Sequence, residues 1–289
     1  MNLFTLAAFI ISLTVASTST CFASAAEPGP DDRFLSNWLD NVSKTQELQP
    51  HWELLLSMPS PRLTQGLRLN YSRQYFPNGS TLENYGMGKG LELIVDENVE
   101  VQIGIPAYIN SESSKGDSSG WADEIFVGRY RLASANEENG NYIVSSSLGV
   151  STPSGSEQFS AHSSIYTLAL AGGKGWGTRQ SGVSIQSTVS MNAPDNDLST
   201  IGMPVSWTTA LQAHVLQIVW PEIEASYTHW YKGSLDGKNQ LVMTYGITFG
   251  RFEIKNSKKL TFGIGYQEPR FTNFSNFSRT WISTMKLSF

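Results

Sequence analysis

The residues of this chain that could do chemistry are few and scattered. Its four histidines are His51, His162, His214 and His229. His162-Ser163 and His214 supply the parts of a serine–histidine pair, the arrangement by which a base activates a hydroxyl nucleophile. Serines are everywhere in this chain, however, and no G-x-S-x-G elbow, H-E-x-x-H helix or phosphate-binding loop occurs. The expectation is therefore no enzyme, no cofactor and no metal. The histidines lack ligand spacing, and Cys21, the only cysteine, lies within the N-terminal segment 1–25. His229, in the apolar register near Trp230 and Tyr231, is expected at an interface. Glu222 and Glu224 stand two apart beside Pro221, where a short turn would set both carboxylates on one face at the mouth of the fold.

The remaining charged residues are informative through their spacing. Val99, Val101, Ile103 and Ile105 alternate with Glu100, Gln102 and Gly104. Leu67, Leu69 and Tyr71 alternate with Arg68 and Asn70, and Phe126, Tyr130 and Leu132 with Arg129 and Arg131. A period of two puts the apolar set on one face of a strand and the polar set on the other. The same pattern covers Leu91–Val95 (with Glu92, broken at Ile94), Tyr142–Val150, a weaker segment Ser163–Ala171, and Val183–Met191. It continues through Trp207–Val215 (with Gln212 and His214), Ile223–Tyr227, Leu241–Phe249 and Leu260–Tyr266. The last segment alternates Trp281, Met285, Leu287 and Phe289 with Thr280, Ile282, Thr284 and Lys286. About twelve strands result. His51–Met58 adds a candidate short strand before Pro59 and Pro61 break the pattern.

These segments run near ten residues, whereas soluble strands average about five or six. Their polar faces carry Gly, Ser and Thr as often as charge. Trp and Tyr fall near segment ends (Tyr108, Trp121, Trp176, Trp207, Trp220, Trp230, Trp281), as rings at a membrane interface do. Short turns at Asp96–Asn98 and Val219–Pro221 alternate with long polar loops such as Asn192–Val205. The ending resembles the C-terminal strand of bacterial outer-membrane proteins, which implies that Phe289, Leu287, Met285 and Trp281 form a signal read by the barrel-assembly machinery. The fold class expected is all-β: a transmembrane, antiparallel, up-and-down β-barrel over 62–289, its last strand pairing with one near Leu63–Tyr75. Outer-membrane lipids are its surroundings.

Composition agrees. The 289 residues are only 16% charged, with net charge −5, which argues against nucleic acid as partner. No run approaches the ~18 apolar residues a spanning helix needs, so a membrane would be crossed by strands. Residues 1–25 read as a secretory signal peptide: an apolar run over Leu3–Val15 and a small-residue site at Ala23-Ser24-Ala25, though no Lys or Arg precedes the run. Between them, 26–61 is a partly helical leader, with Leu35, Trp38, Leu39 and Val42 at helical spacing behind Asp31 and Asp32. The expectation is a helix against the barrel rim or an unfixed leader; a plug or latch is the alternative.

The chain further resembles the outer-membrane proteins of the MetA-pathway of phenol degradation family. Gly88-Lys-Gly-Leu-Glu-Leu93, Trp121–Leu132, Thr152-Pro-Ser-Gly155 and Gly172-Gly-Lys-Gly-Trp176 carry the resemblance, over roughly Leu63–Phe289. It departs from the family at Ala122, where Gly is usual, and at Arg129, where Lys is. The resemblance implies uptake of small hydrophobic or aromatic solutes.

If apolar residues face lipid, the opposite register faces the lumen. Arg68, Glu92, Glu100, Gln102, Arg129, Arg131, Gln212, His214, Glu222, Glu224 and Lys286 then line it, either as a selective pore lining or as charges that pair and close a polar core. Twelve strands give a backbone diameter of only ~24 Å, which side chains nearly fill. The functional expectation is a passive channel for a small-molecule solute, with a structural or anchoring barrel as alternative and a barrel lipid hydrolase a distant third.

Overall fold

The computed structural model describes residues 30–254, 258–270, 273–275 and 277–289. The expected signal peptide lies outside them. A helix, α1 (Pro30–Glu47), comes first. The compact unit that holds the barrel begins at Trp38.

Twelve antiparallel strands follow. They are β1 (Gly66–Tyr75), β2 (Thr81–Gly86 continued by Gly90–Asp96), β3 (Val99–Gly104 continued by Tyr108–Glu112) and β4 (Ser118–Trp121 continued by Glu124–Ala135). Then come β5 (Tyr142–Thr152), β6 (Ile165–Gly177), β7 (Gly182–Pro194) and β8 (Met203–His214). The last four are β9 (Val219–Tyr231), β10 (Asn239–Glu253), β11 (Lys259–Arg270) and β12 (Arg279–Ser288). A one-turn helix, α2 (Leu198–Ile201), sits between β7 and β8.

Each strand pairs with its sequence neighbours, and β12 pairs with β1 from Gly66↔Ser288 to Tyr75↔Arg279. The sheet is a closed up-and-down barrel without an edge. Strands β2, β3 and β4 are interrupted side by side, at 87–89, 105–107 and 122–123; the first break is a run of left-handed backbone, Gly86, Met87 and Gly88, with φ of 102°, 51° and 66°. Three bonds bridge the breaks: Lys89 N–H to the Gly86 carbonyl, Ile105 N–H to that of Lys89, and Ala122 N–H to that of Ala107.

The burial pattern is inverted relative to a soluble protein. Trp121, Leu148, Leu168, Leu170, Trp176, Trp207 and Ile264 are more than half exposed on the outside. Inside, Gln186, Gln212, Glu100, Glu224, Thr244 and Thr248 are nearly inaccessible. This is the pattern of a wall with an apolar medium outside and a polar interior.

Four sequence expectations change. The turn before β9 is at 215–218, not Val219–Pro221. Leu216 and Gln217 take left-handed backbone there (φ 54° and 57°), and Pro221 lies in the strand opposite Ile247. Pro221 has no N–H to give, and it stands where the β8–β9 register has already ended at Gln212↔Glu222. Trp220 is buried inside the barrel, not at an interface, because it shares the inward register with Glu222 and Glu224. Those two carboxylates lie within the strand rather than at a mouth. His51–Met58 forms no strand, since its backbone groups bond to side chains of the barrel wall.

Candidate functional site

The lumen is occupied by the chain itself. Gln49 and Leu63 exchange two hydrogen bonds, the Gln49 Nε2 donating to the Leu63 carbonyl at 2.7 Å and the Leu63 amide to Gln49 Oε1 at 2.9 Å. Residues 49–63 therefore form a loop, tied across its waist by Arg62, whose Nη1 donates to the Trp52 carbonyl. Trp52, Leu54, Leu55, Leu56 and Met58 on this loop are buried inside a wall that offers them Ile143, Ala210, Trp220 and several glycines among polar residues. Within the leader, residues 49–63 lie inside the barrel, and the end of α1 is tied to the β2–β3 turn. An apolar loop can be buried there because the wall supplies both kinds of partner it needs.

The first kind is small residues. A Cβ on Gly246 would stand 2.1 Å from Leu56 Cδ1, and Cβ atoms on Gly263 and Gly265 would stand 2.7 and 2.8 Å from the same side chain. Three glycines thus make the seat of Leu56. Leu55 and Met58 pack with Ala210. Trp52 packs with Ile143 and Trp220, over Gly173 and Gly175.

The second kind is charged side chains that satisfy the loop's backbone. Glu222 Oε1 accepts from the Leu56 amide at 2.8 Å. Glu224 accepts from Ser57 at 3.0 Å and from Met58 at 2.8 Å, one amide on each oxygen. Arg68 Nη2 donates to the carbonyls of Leu55 and Leu56 at 2.6 and 3.3 Å. Arg129 Nη1 donates to the Arg62 carbonyl at 3.1 Å and to Glu100 Oε1 at 2.6 Å. A buried backbone group left unpaired costs free energy, so these contacts are what allow an irregular segment inside the barrel.

The other sequence candidates stand around this centre. Glu92 accepts from Lys286 Nζ at 2.9 Å and from Thr64 Oγ1 at 2.6 Å. Glu100 also takes the Thr64 amide. Gln102 donates to the Gly88 carbonyl, across the break in β2. Gln212 donates to Glu222 Oε2 at 2.8 Å. At the turn end of the barrel, Arg131 binds the carbonyls of Thr45 and Glu97 and Asn98 Oδ1 at 2.8–2.9 Å, which fixes the last turn of α1. His214 stacks on Trp220, ring centroids 4.5 Å apart, and its Nε2 meets the Thr178 carbonyl.

Trp281 is half exposed on the outer face, which Met285 and Leu287 share, and Phe289 follows β12. Ser163 donates to Asp195 Oδ1 at 2.6 Å at the loop end of β6, whereas His214 closes β8 at the turn end. Ser163 and His214 are thus at opposite ends of the barrel, and His162, beside Ser163, turns its Nε2 to the Glu157 carbonyl at 2.8 Å. His229 stacks edge-on with Tyr231.

Sequence reasoning missed Arg251. Its Nε lies 3.0 Å from Glu53 Oε2, and its Nη2 reaches the carbonyls of His51 and Trp52. Also missed was the cluster of His51, Glu137, Glu47 and Arg179 at the turn end. His51 Nδ1 donates to Glu137 Oε2 at 2.9 Å, and its amide donates to Oε1 of the same carboxylate. Arg179 Nη2 contacts His51 Nε2, and lies 2.9 Å from Glu47 Oε1. Burial pulls the His51 imidazole below its ordinary value. Burial alone would raise Glu137, but the two hydrogen bonds from His51 outweigh it and hold this carboxyl at about 2. A cavity of about 690 Å³, bounded by Glu47, His51, Arg179, Arg251 and Lys259, opens beside the loop.

No protein-family model matches the chain, and no curated protein shows a significant match. Among solved structures it is similar to an outer membrane channel from Pseudomonas putida F1, at 12% identity and TM-score 0.54, over 82% of this chain and 99% of that one. It is also similar to the NanC porin in a rhombohedral crystal form, at 8% identity and TM-score 0.51, over 77% of this chain and 98% of the porin. At these identities the likeness is one of fold: this chain has the barrel of outer-membrane channels.

Proposed function

We propose that the protein is a channel of the bacterial outer membrane, exported by its signal peptide, whose lumen is held shut by its own residues 49–63 and which passes small hydrophobic or aromatic compounds when that loop is displaced. The observation that carries the channel reading is the manner of closure. Glu222, Glu224 and Arg68, wall charges that would line an open pore, are spent on backbone groups of a separate, tethered segment, beside the direct wall pairs Glu100–Arg129 and Glu92–Lys286. A barrel built only as an anchor needs no removable centre and closes by direct pairing across the wall, as Glu92 and Lys286 do. The fold shared with outer-membrane channels supports the location. The solute class follows the resemblance to the MetA-pathway family, and is supported by the Gly246, Gly263, Gly265 and Ala210 seat inside an otherwise polar lumen.

The test is conductance in planar bilayers. The wild-type chain should show a low, intermittent current, and Leu56→Asp, which puts a charge in the glycine seat, a larger and steadier one. A Leu56→Asp barrel that folds and stays silent would favour the anchoring reading.

A further inference from the structure

Four consecutive residues of the loop, Leu55 to Met58, have their main-chain groups held by side chains of the wall. Three successive amides are accepted by Glu222 and Glu224, and two successive carbonyls are met by Arg68. Main-chain groups are common to every peptide, so this set of contacts does not depend on the loop's sequence. Selectivity comes from the seats beside it: the glycine floor admits one branched apolar side chain, and Ala210 lies under its neighbours. Gln267 Nε2 reaches the Ser57 hydroxyl at 3.0 Å. Nor does the loop use all that the wall offers. Gln212 Oε1 and Thr248 Oγ1 are buried beside it with no hydrogen-bond partner among the described residues.

From this we infer that the lumen wall around Glu222, Glu224, Arg68 and Gly246 is a peptide-binding site, that its external ligands are short apolar peptides, and that residues 49–63 are its built-in competitor. The inference rests on the channel reading, because a ligand reaches the site only when the loop leaves. It narrows the hydrophobic solutes of that reading to molecules that also carry amides. The chemistry is reciprocal. Carboxylates take N–H donors, a guanidinium takes carbonyls, and a floor without Cβ atoms takes an apolar side chain. A hydrocarbon or a simple phenol would leave both carboxylates and the guanidinium unanswered in a dry site, at a cost that opposes its binding.

The experiment uses the full-length chain carrying Leu56→Asp, which disables the competitor and leaves the wall intact. The probe is a fluorescent synthetic peptide with the sequence of Trp52–Ser60, read by anisotropy in detergent, with ion conductance recorded in parallel. Saturable binding is expected, at least tenfold tighter than that of a scrambled peptide. Gly246→Leu added to the Leu56→Asp chain should abolish the difference, whereas Glu224→Gln, which removes an acceptor for main-chain amides, should weaken the binding of both peptides. Equal binding of the native and scrambled peptides overturns the inference. Should Leu56→Asp fail to assemble, Met58→Asn on the same loop serves instead, with the same readout. A chain that conducts but ignores the peptide sinks the peptide site and leaves the channel. One that binds the peptide without conducting does the reverse.

Discussion

Arg251 of the barrel wall and Glu53 of the internal loop lie 3.0 Å apart, Nε to Oε2. The pair exists because of a bulge. β10 pairs with β11 through Gly250↔Thr261 and then Phe252↔Leu260, so Arg251 is an extra residue with left-handed backbone, φ 62°. Phe249 and Phe252 face outward on either side of it. Without the inserted residue, strict alternation from Tyr245, Ile247 and Phe249 would carry Arg251 outward. The bulge turns it in, over the Trp220 ring and onto the loop.

Breaking this pair should loosen the loop without unfolding the barrel. Arg251→Ala leaves Glu53 buried and unpaired, and removal of one partner of such a pair costs about 3–5 kcal/mol. Arg251 is partly open to the turn-end cavity, so the lower figure applies. The double variant Glu53→Arg/Arg251→Glu should recover part of the loss, whereas each single reversal should be worse than alanine. Proteolysis of the native protein reads the outcome: cleavage within 49–63 should rise in the single variants and fall back in the double.

The seat of Leu56 gives a second, independent lever. Gly246→Ala adds one methyl group 2.1 Å from Leu56 Cδ1, a contact that cannot be kept. Gly246 pairs with Glu222 and Gly265 on its neighbouring strands, so the ladder itself loses nothing. Overpacking of this kind costs about 1–3 kcal/mol. Labelling of a cysteine placed at Ser57 should be slow in the parent and at least several-fold faster with Gly246→Ala. An unchanged rate would mean that the loop shifts within the lumen rather than leaving it.

The barrel was legible in the sequence because alternation is a local property and lipid outside makes it severe. Each outward residue must be apolar, and each inward one is free to be polar. What could not be read is what breaks local rules. Ile94 interrupts its strand's alternation because it faces inward to meet Val42, Leu63 and Trp38, and its carbonyl takes the Trp38 indole N–H at 2.6 Å. Leu216 and Gln217 form a left-handed turn with no Gly or Asn to announce it. The plug has no signal of its own, since an apolar run before two prolines reads equally as rim, strand or linker. Its clearest trace was elsewhere: a lone arginine, Arg251, in a lipid-facing register, which demanded a bulge and an inward partner.

Arg131 should govern α1. It holds the Thr45 and Glu97 carbonyls together, so the helix end and the β2–β3 turn share one guanidinium. Arg131→Ala leaves the Thr45 carbonyl without this donor, and Thr45 is itself buried. The cost expected for a buried acceptor deprived of its partner is about 1–3 kcal/mol. Hydrogen exchange should quicken across 41–48 and leave the β9–β11 amides protected. Equal quickening throughout would mean that Arg131 supports the whole barrel and not the helix.

Acid should loosen the loop, and the sign follows from the groups around His51. Glu137, Glu47, Arg179, Arg62 and Arg251 face it from the β4–β5 turn, α1, the β6–β7 turn, the loop's return and β10. Burial, with the arginines, lowers the imidazole, against the pull of Glu137. The seated loop therefore prefers neutral His51, while the displaced loop takes up a proton near the ordinary value of about 6.5. Seating from this source is fully present above that pH and declines as pH falls through it. Glu137, held at about 2, has the depressed carboxylate's sign. Its contribution is present above the ordinary carboxylate value of about 4.3 and is lost only as pH falls toward 2. Between pH 8 and pH 5 the histidine acts alone within this pair, so conductance should be greater at pH 5. His51→Gln keeps a donor for Glu137 and an acceptor for Arg179 without the titration, and should flatten the response. A wild-type current that falls on acidification would contradict a seated loop that prefers neutral His51.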